Sequence, residues 1–212
     1  MRFLCVSDIH GHHRALQAAL DAADLWGWDQ LVVCGDLCFP GPEPLAVWKT
    51  LVTHGALCVQ GLTDRALAKL DPDRLTATTQ TERARLARLR QVHHELGELI
   101  IARLGKLPKI ARFPVESGDT MVVVHGSPVD PTEPFTHDMT DEQLGELLTD
   151  EPGEIIICGA SHVPFDRQLD GVRIVNVGSV GEAPGGGVAH ASIVETAELG
   201  IRVEQFCIPL DG

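Results

Sequence analysis

The chain has 212 residues, 44% of them hydrophobic, enough to bury one sizeable core. With 30 acidic side chains against 17 Lys and Arg, the formal net charge is -13. Such a surface repels polyanions, which argues against nonspecific binding to nucleic acid or anionic membrane, and no apolar run reaches bilayer-spanning length.

In chain order, Arg2–Ser7 is a short apolar run that reads as a buried strand, and Arg14–Ala23 follows with apolar positions at helical spacing. Leu31–Cys34 is the second strand, Leu45–His54 a helix after the Pro42–Pro44 loop, and Ala56–Val59 the third strand. This alternation predicts parallel connections under helical cover. Residues 64–107 read as mostly helical, interrupted at Gly97 and closed by Pro108, which lacks the amide a helix interior needs. Strands resume at Ile110–Phe113 and Met121–Val124. Asp141–Leu148 is a short helix with Thr140 as its N-cap. Ile155–Cys158, Val172–Val177, Ala189–Val194 and Ile201–Ile208 complete the strands, and the last three are expected to pair antiparallel. No repeat or linker divides the chain, so one domain over 1–212 is expected.

The six cysteines (5, 34, 38, 58, 158 and 207) form no CxxC pair and mostly sit in or beside apolar runs. That pattern suits free thiols in a reducing compartment. The N-terminus lacks a charged-then-apolar signal pattern, so a cytoplasmic location is expected. Arg83, Arg85, Arg88, Arg90, Arg103, Lys106, Lys109 and Arg112 fall in one stretch. The plain reading is a solvated helical face; the sharper one is a positive wall beside a site.

The chemistry lies at the strand ends. Asp8 and His10 follow the first strand, Asp36 the second, and His125 and His162 two later ones. Parallel strands bring their C-terminal ends to one edge, where ligands of open α/β sheets collect. Asp and His converging there are the donors a hydrolytic metal centre uses. Asp8 and His10, two apart, would face one side of an extended chain.

Ser7-Asp8-Ile9-His10-Gly11, Gly35-Asp36, Gly61-Leu62-Thr63-Asp64, His125-Gly126-Ser127-Pro128, Gly159-Ala160-Ser161-His162 and Asn176-Val177-Gly178-Ser179-Val180-Gly181 occur in the order of the calcineurin-like metallophosphoesterases. The chain resembles the small single-domain phosphodiesterase branch of that family. The resemblance implies a four-layer αββα sandwich of two mixed β-sheets flanked by helices. It implies a first metal held by Asp8, His10, Asp36 and His162. A second metal would share Asp36 and take His125, an Asn and a further His. Leu62 stands at the Asn position and Ala160 at the position of that further His, and neither side chain has a donor atom. One well-bound ion (Mn, Fe, Zn or Ni) and a second that is weak or absent are therefore expected.

Asp36 and His125 are the expected catalytic residues, with His125 donating to a phosphate oxygen or acting as general acid. Thr63, Asp64 and His12 are second-layer candidates; His12 and His13 read more simply as an exposed turn into the first helix. The expected partner is a small phosphorylated substrate, and a homo-oligomer is left open. The competing reading is a non-catalytic binding or scaffold protein on the same fold.

Overall fold

The computed structural model describes residues 1–150 and 153–210. Residues 151–152 and 211–212, included in the expected 1–212 domain, lie outside the described residues. The element order is β1 (Arg2–Val6), α1 (His13–Ala23), β2 (Gln30–Val33), α2 (Pro44–Thr53), β3 (Leu57–Cys58), α3 (Leu62–Lys69), α4 (Gln80–Leu104), β4 (Ile110–Pro114) and β5 (Thr120–Val124). α5 (Asp141–Glu146), β6 (Ile155–Cys158), β7 (Phe165–Leu169), β8 (Val172–Asn176), β9 (Val188–Ala197) and β10 (Gly200–Pro209) follow.

The strands form two five-stranded sheets, ordered β10-β9-β1-β2-β3 and β4-β5-β6-β8-β7. Both are mixed. β1, β2 and β3 run parallel, as do β5, β6 and β8, while β9, β10, β4 and β7 attach antiparallel. The sheets face each other through Phe3, Cys5, Val32 and Cys34 on one side and Met121, Val123, Ile155, Ile157 and Val175 on the other. These strands are apolar on both faces, as strands covered on both sides must be.

The outer face of the first sheet packs on α1 through Leu16, Ala19 and Leu20, and α4 joins the same core through Leu89, Val92 and Leu96, packed against α2 and α3. The outer face of the second is covered by Phe135, Leu144 and Leu147. The result is the four-layer αββα sandwich. Gly97 does break α4, with φ at 70°, and the Thr140 hydroxyl caps α5 by accepting from Gln143 N at 3.3 Å.

Three expectations need correction. The strand at 172–176 does not pair with β9; it lies in the other sheet between β6 and β7. The segment from Val177 to Gly187 carries the chain from one sheet to the other, so only β9 and β10 form the expected antiparallel pair. β7 was missed: Phe165–Leu169 has two charged residues and forms a hairpin with β8 across Asp170-Gly171, both with positive φ. His12 and His13 are half-buried rather than an exposed turn.

Candidate metal centre

Because β1, β2, β5 and β6 all end at the same edge of the facing sheets, their following loops meet. Backbone bonds lace these loops together. Asp8 N donates to Gly35 O at 3.1 Å, His10 N to Asp36 O at 2.8 Å, Gly159 N to His125 O at 2.9 Å and Gly181 N to Asp8 O at 3.0 Å. The approach requires glycine at two points. A Cβ on Gly159 would come within 1.9 Å of Ser7 Oγ, and one on Gly61 within 2.2 Å of Asp36.

Asp8 and His10 do not meet through strand pleating, as their spacing suggested. Both are left-handed, with φ at 52° and 51°. So are Asp36 (55°), Ala160 (63°) and His162 (61°), and the one other described non-glycine residue with positive φ is Asp170. L-residues take this conformation at a cost, and such residues gather where function over-determines the backbone.

The donors converge in two overlapping groups, Asp8–His10–His162 and Asp8–Asp36–His125, each with ligand atoms within 4.8 Å of one another. His162 Nε2 stands 3.1 Å and His10 Nε2 3.6 Å from Asp8 Oδ1. The two Nε2 atoms are 3.4 Å apart, and Asp36 Oδ2 is 3.8 Å from His10 Nε2 and 3.5 Å from His125 Nε2. Donors around one small divalent cation, at bonds of about 2.1 Å, sit roughly 3–4 Å apart.

The three histidines of the centre are oriented the same way. Nδ1 of His10 meets Phe39 O at 2.6 Å, Nδ1 of His125 meets Cys34 O at 2.7 Å, and Nδ1 of His162 meets Glu182 O at 3.0 Å. A carbonyl only accepts, so Nδ1 carries the hydrogen, and the neutral ring presents its Nε2 lone pair to the centre. Asp8 Oδ1 is buried without a hydrogen-bond partner. Lone pairs facing a buried carboxylate oxygen need something positive between them, and the residues fit a divalent cation.

Without a cation, protons take that role. Burial works against a charged Asp8, but His10 and His162, which can donate to it from Nε2 once they are protonated, and the nearby His125 outweigh it and hold the carboxyl well below the usual range. Burial likewise opposes charge on His10 and His125, yet Asp8 and Asp36 beside the first, and Asp36 beside the second, raise both to about 9. The Asp8 hydrogen bond raises His162 as well.

The second-layer candidates separate. Asp64 is fully buried and accepts from Asp36 N and Gly61 N at 2.9 Å each and from Leu37 N at 3.0 Å; it fixes the Asp36 loop. Its burial and the neighbouring Asp36 raise its pKa to about 6. Thr63 N donates to Asp36 Oδ1 at 2.7 Å. His12 is half-buried against Gly41 and Gly181, whereas His13 turns away to Thr50 Oγ1 at 2.9 Å.

Leu62, the first residue of α3, is 43% exposed. Ala160 offers only its N–H, which donates to Asp8 Oδ2 at 2.9 Å.

The basic stretch is not one wall. Arg88 clamps the loop after β2 by donating to Pro40 O and Gly41 O, and Arg90 pairs with Asp73. Lys109 joins Arg65 in lining a cavity of about 50 Å³ with Gly61, Leu62 and Pro131. That cavity adjoins the centre, since Gly61 abuts Asp36 and Pro131 O accepts from Gly126 N, the residue after His125. Sequence reasoning missed Arg65, and it missed Glu182, whose Oε2 lies 3.7 Å from His10 Nε2. Glu182 directly follows the Asn176–Gly181 motif, and that position was the available signal.

Comparison with known proteins agrees with the geometry. The family described as the calcineurin-like phosphoesterase superfamily domain matches residues 1–198, and the chain belongs to it. A hypothetical protein of Pyrococcus horikoshii is similar in structure, with a TM-score of 0.82 and 21% identity over 99% of this chain and 88% of that one. A metallophosphoesterase of Sphaerobacter thermophilus gives 0.77 and 23% over 100% and 89%. A putative diadenosine tetraphosphatase gives 0.60 and 23% over 100% and 95%. At these identities the likeness shows the fold. No curated protein matches the chain.

Proposed function

We propose, with membership of that superfamily as the premise, that the chain is a single-domain cytoplasmic enzyme hydrolysing a small phosphodiester or phosphomonoester. It holds one divalent cation well and a second weakly or not at all. The observation that supports this is the convergence of three imidazole Nε2 atoms on two buried carboxylates, each ring oriented by a carbonyl.

Asp8, His10, Asp36 and His162 hold the first cation in this reading. Asp36 and His125 are what remains of the second set, since Leu62 and Ala160 stand where the family resemblance calls for Asn and His. Mixed carboxylate and imidazole donors accept Mn, Fe, Zn or Ni. A cation bound there would lower the pKa of water so that hydroxide is available at neutral pH, and would supply positive charge for the phosphoryl oxygens.

The remaining steps belong to the chain. Asp36, fixed by Thr63 N and the Asp64 network, sets the distance between the two donor groups. His125, protonated and held by Cys34 O, donates to a phosphoryl oxygen or protonates the leaving group. Arg65 and Lys109 attract the anionic substrate to a chain that is otherwise acidic.

The test is turnover of a chromogenic phosphodiester with added Mn²⁺, set against His10→Ala. The expected result is a metal-dependent rate that the variant lacks. The Leu62 and Ala160 replacements favour a second reading, a non-catalytic binding protein on this fold. Equal background rates for both proteins would favour that reading instead.

A further inference from the structure

We infer that Glu182 is a further metal donor of this centre, completing the group formed by Asp8, His10 and His162. The inference rests on the metal-centre reading above and adds a residue to it.

Glu182 is tied to all three members of that group. Its Oε2 lies 3.7 Å from His10 Nε2, inside the roughly 3–4 Å spacing of donors around one small cation. Its carbonyl accepts from His162 Nδ1 at 3.0 Å, so the same residue orients one ligand ring and offers a carboxylate beside another. Its N–H donates at 2.8 Å to Ser179 Oγ, which itself donates to Asp8 O at 3.0 Å. The backbone of Glu182 is thus fixed relative to Asp8 and His162 by short hydrogen bonds, while its side chain is 39% exposed. The carboxylate stands near His10 and outside the Asp8–His10–His162 group itself; its exposed side chain can turn onto a cation without displacing packed residues.

The charge balance points the same way. Among the described residues, no Lys or Arg forms an ion pair with the Glu182 carboxylate, which leaves it available to a cation. A chain without donors at 62 and 160 has lost two ligands on one flank; Glu182 supplies one oxygen on the other. A carboxylate donor strengthens binding of a hard or borderline divalent ion through both charge and coordination.

The experiment measures metal binding by the full chain, using Mn²⁺ in competition with a chelator and the visible spectrum of the Co²⁺-loaded protein. Glu182→Gln keeps the backbone contacts and the side-chain size. Its Mn²⁺ affinity is expected to fall at least tenfold with an altered Co²⁺ spectrum, while Glu142→Gln, on exposed α5, leaves both unchanged. Thermal unfolding of the metal-free variants is expected to match wild type, which separates lost coordination from lost fold. Wild-type affinity and spectrum in Glu182→Gln would overturn the inference. So would normal affinity with slowed turnover, which would make Glu182 a proton-transfer group. Failure of the unaltered protein to bind either ion would overturn the metal-centre reading itself, and this inference with it.

Discussion

Around Asp8, the ends of β1 and β6 bring His10 and His162 to bear, with Glu182 beside them; around Asp36, the corner between β2 and α3 adds only His125 to the donors Asp8 and His10 already belonging to the first side. The backbone is equally elaborate at both. Asp8, His10 and His162 are left-handed on the first side, and Asp36 and Ala160 are left-handed near the second. Gly61 still lets α3 press against Asp36, and Asp64 still gathers three buried amides. Scaffold and donors are therefore separable. On the proposed reading, in which Leu62 and Ala160 stand at two ligand positions, the second corner keeps the shape of a metal site because that shape is also what closes the two sheets at this edge.

The largest difference between the two sides is expected in catalysis. His10→Ala removes a ligand of the better-equipped group and should lower phosphodiester turnover by about 10⁴-fold, near the control rate. His125→Ala removes a proton donor rather than a principal ligand and should cost about 10²-fold. Steady-state rates at saturating Mn²⁺ check both. Equal losses would erase the distinction between the two sides.

The scaffold of the second corner can be broken separately. Asp64→Ala leaves Asp36 N, Leu37 N and Gly61 N buried without their acceptor. Each orphaned amide costs on the order of 1–3 kcal/mol, so a total loss of roughly 3–5 kcal/mol is expected in urea unfolding. The stripped corner can also be refurnished. Leu62→Asn with Ala160→His should raise bound metal from one towards two ions per chain by elemental analysis. Two ions already present in the unaltered protein would refute the account of that corner.

Much of this was legible because apolar strands advertise themselves. Val6, Val33, Val124 and Cys158 end runs that are buried on both faces, and the site residues follow within a few positions. β7 was not legible because Asp166 and Arg167 interrupt its pattern; Asp166 is satisfied only across the hairpin, where Arg173 Nη2 donates to it at 2.6 Å. The Asp170-Gly171 turn was the local signal for it. Sheet membership of β8 depends on its pairing with Ile155–Cys158, which no local pattern encodes. At the site, donor identities could be read from the sequence but not how the donors meet, since the left-handed turns at Asp8 and His10 follow from bonds to the Asp36 loop.

Acidity offers a smaller contrast, between the metal-free and loaded forms. In the metal-free protein His10 and His125 are raised to about 9, above the unfolded value of about 6.5. Their contribution to stability is fully present below pH ~6.5 and is lost as pH rises through ~9. Metal binding must displace those protons, so affinity should increase over the same interval and binding at neutral pH should release protons. Unfolding midpoints at pH 6.5 and 9.5, with and without Mn²⁺, are expected to show the metal-free protein losing stability and the loaded protein gaining relative to it. Parallel curves would mean that the histidines are not the ligands.

The smallest expected effect concerns the flank beside Leu62, where a cationic pair stands near the missing donor. Arg65 and Lys109 share a cavity wall with Leu62 and with Asp130, and their charges help hold the Asp130 carboxyl below its usual pKa, after its hydrogen bonds from Thr132. A fixed cation at the rim cannot activate water, but it can attract the phosphate that a second metal would otherwise have held. Surface charges are screened, and attraction over this distance is worth about 1 kcal/mol or less each. Arg65→Met and Lys109→Met should therefore raise KM by a few-fold each with kcat nearly unchanged, and added salt should shrink the effect. Loss of kcat instead would place these side chains on the transition state and give the second corner a catalytic role that its two donors alone do not supply.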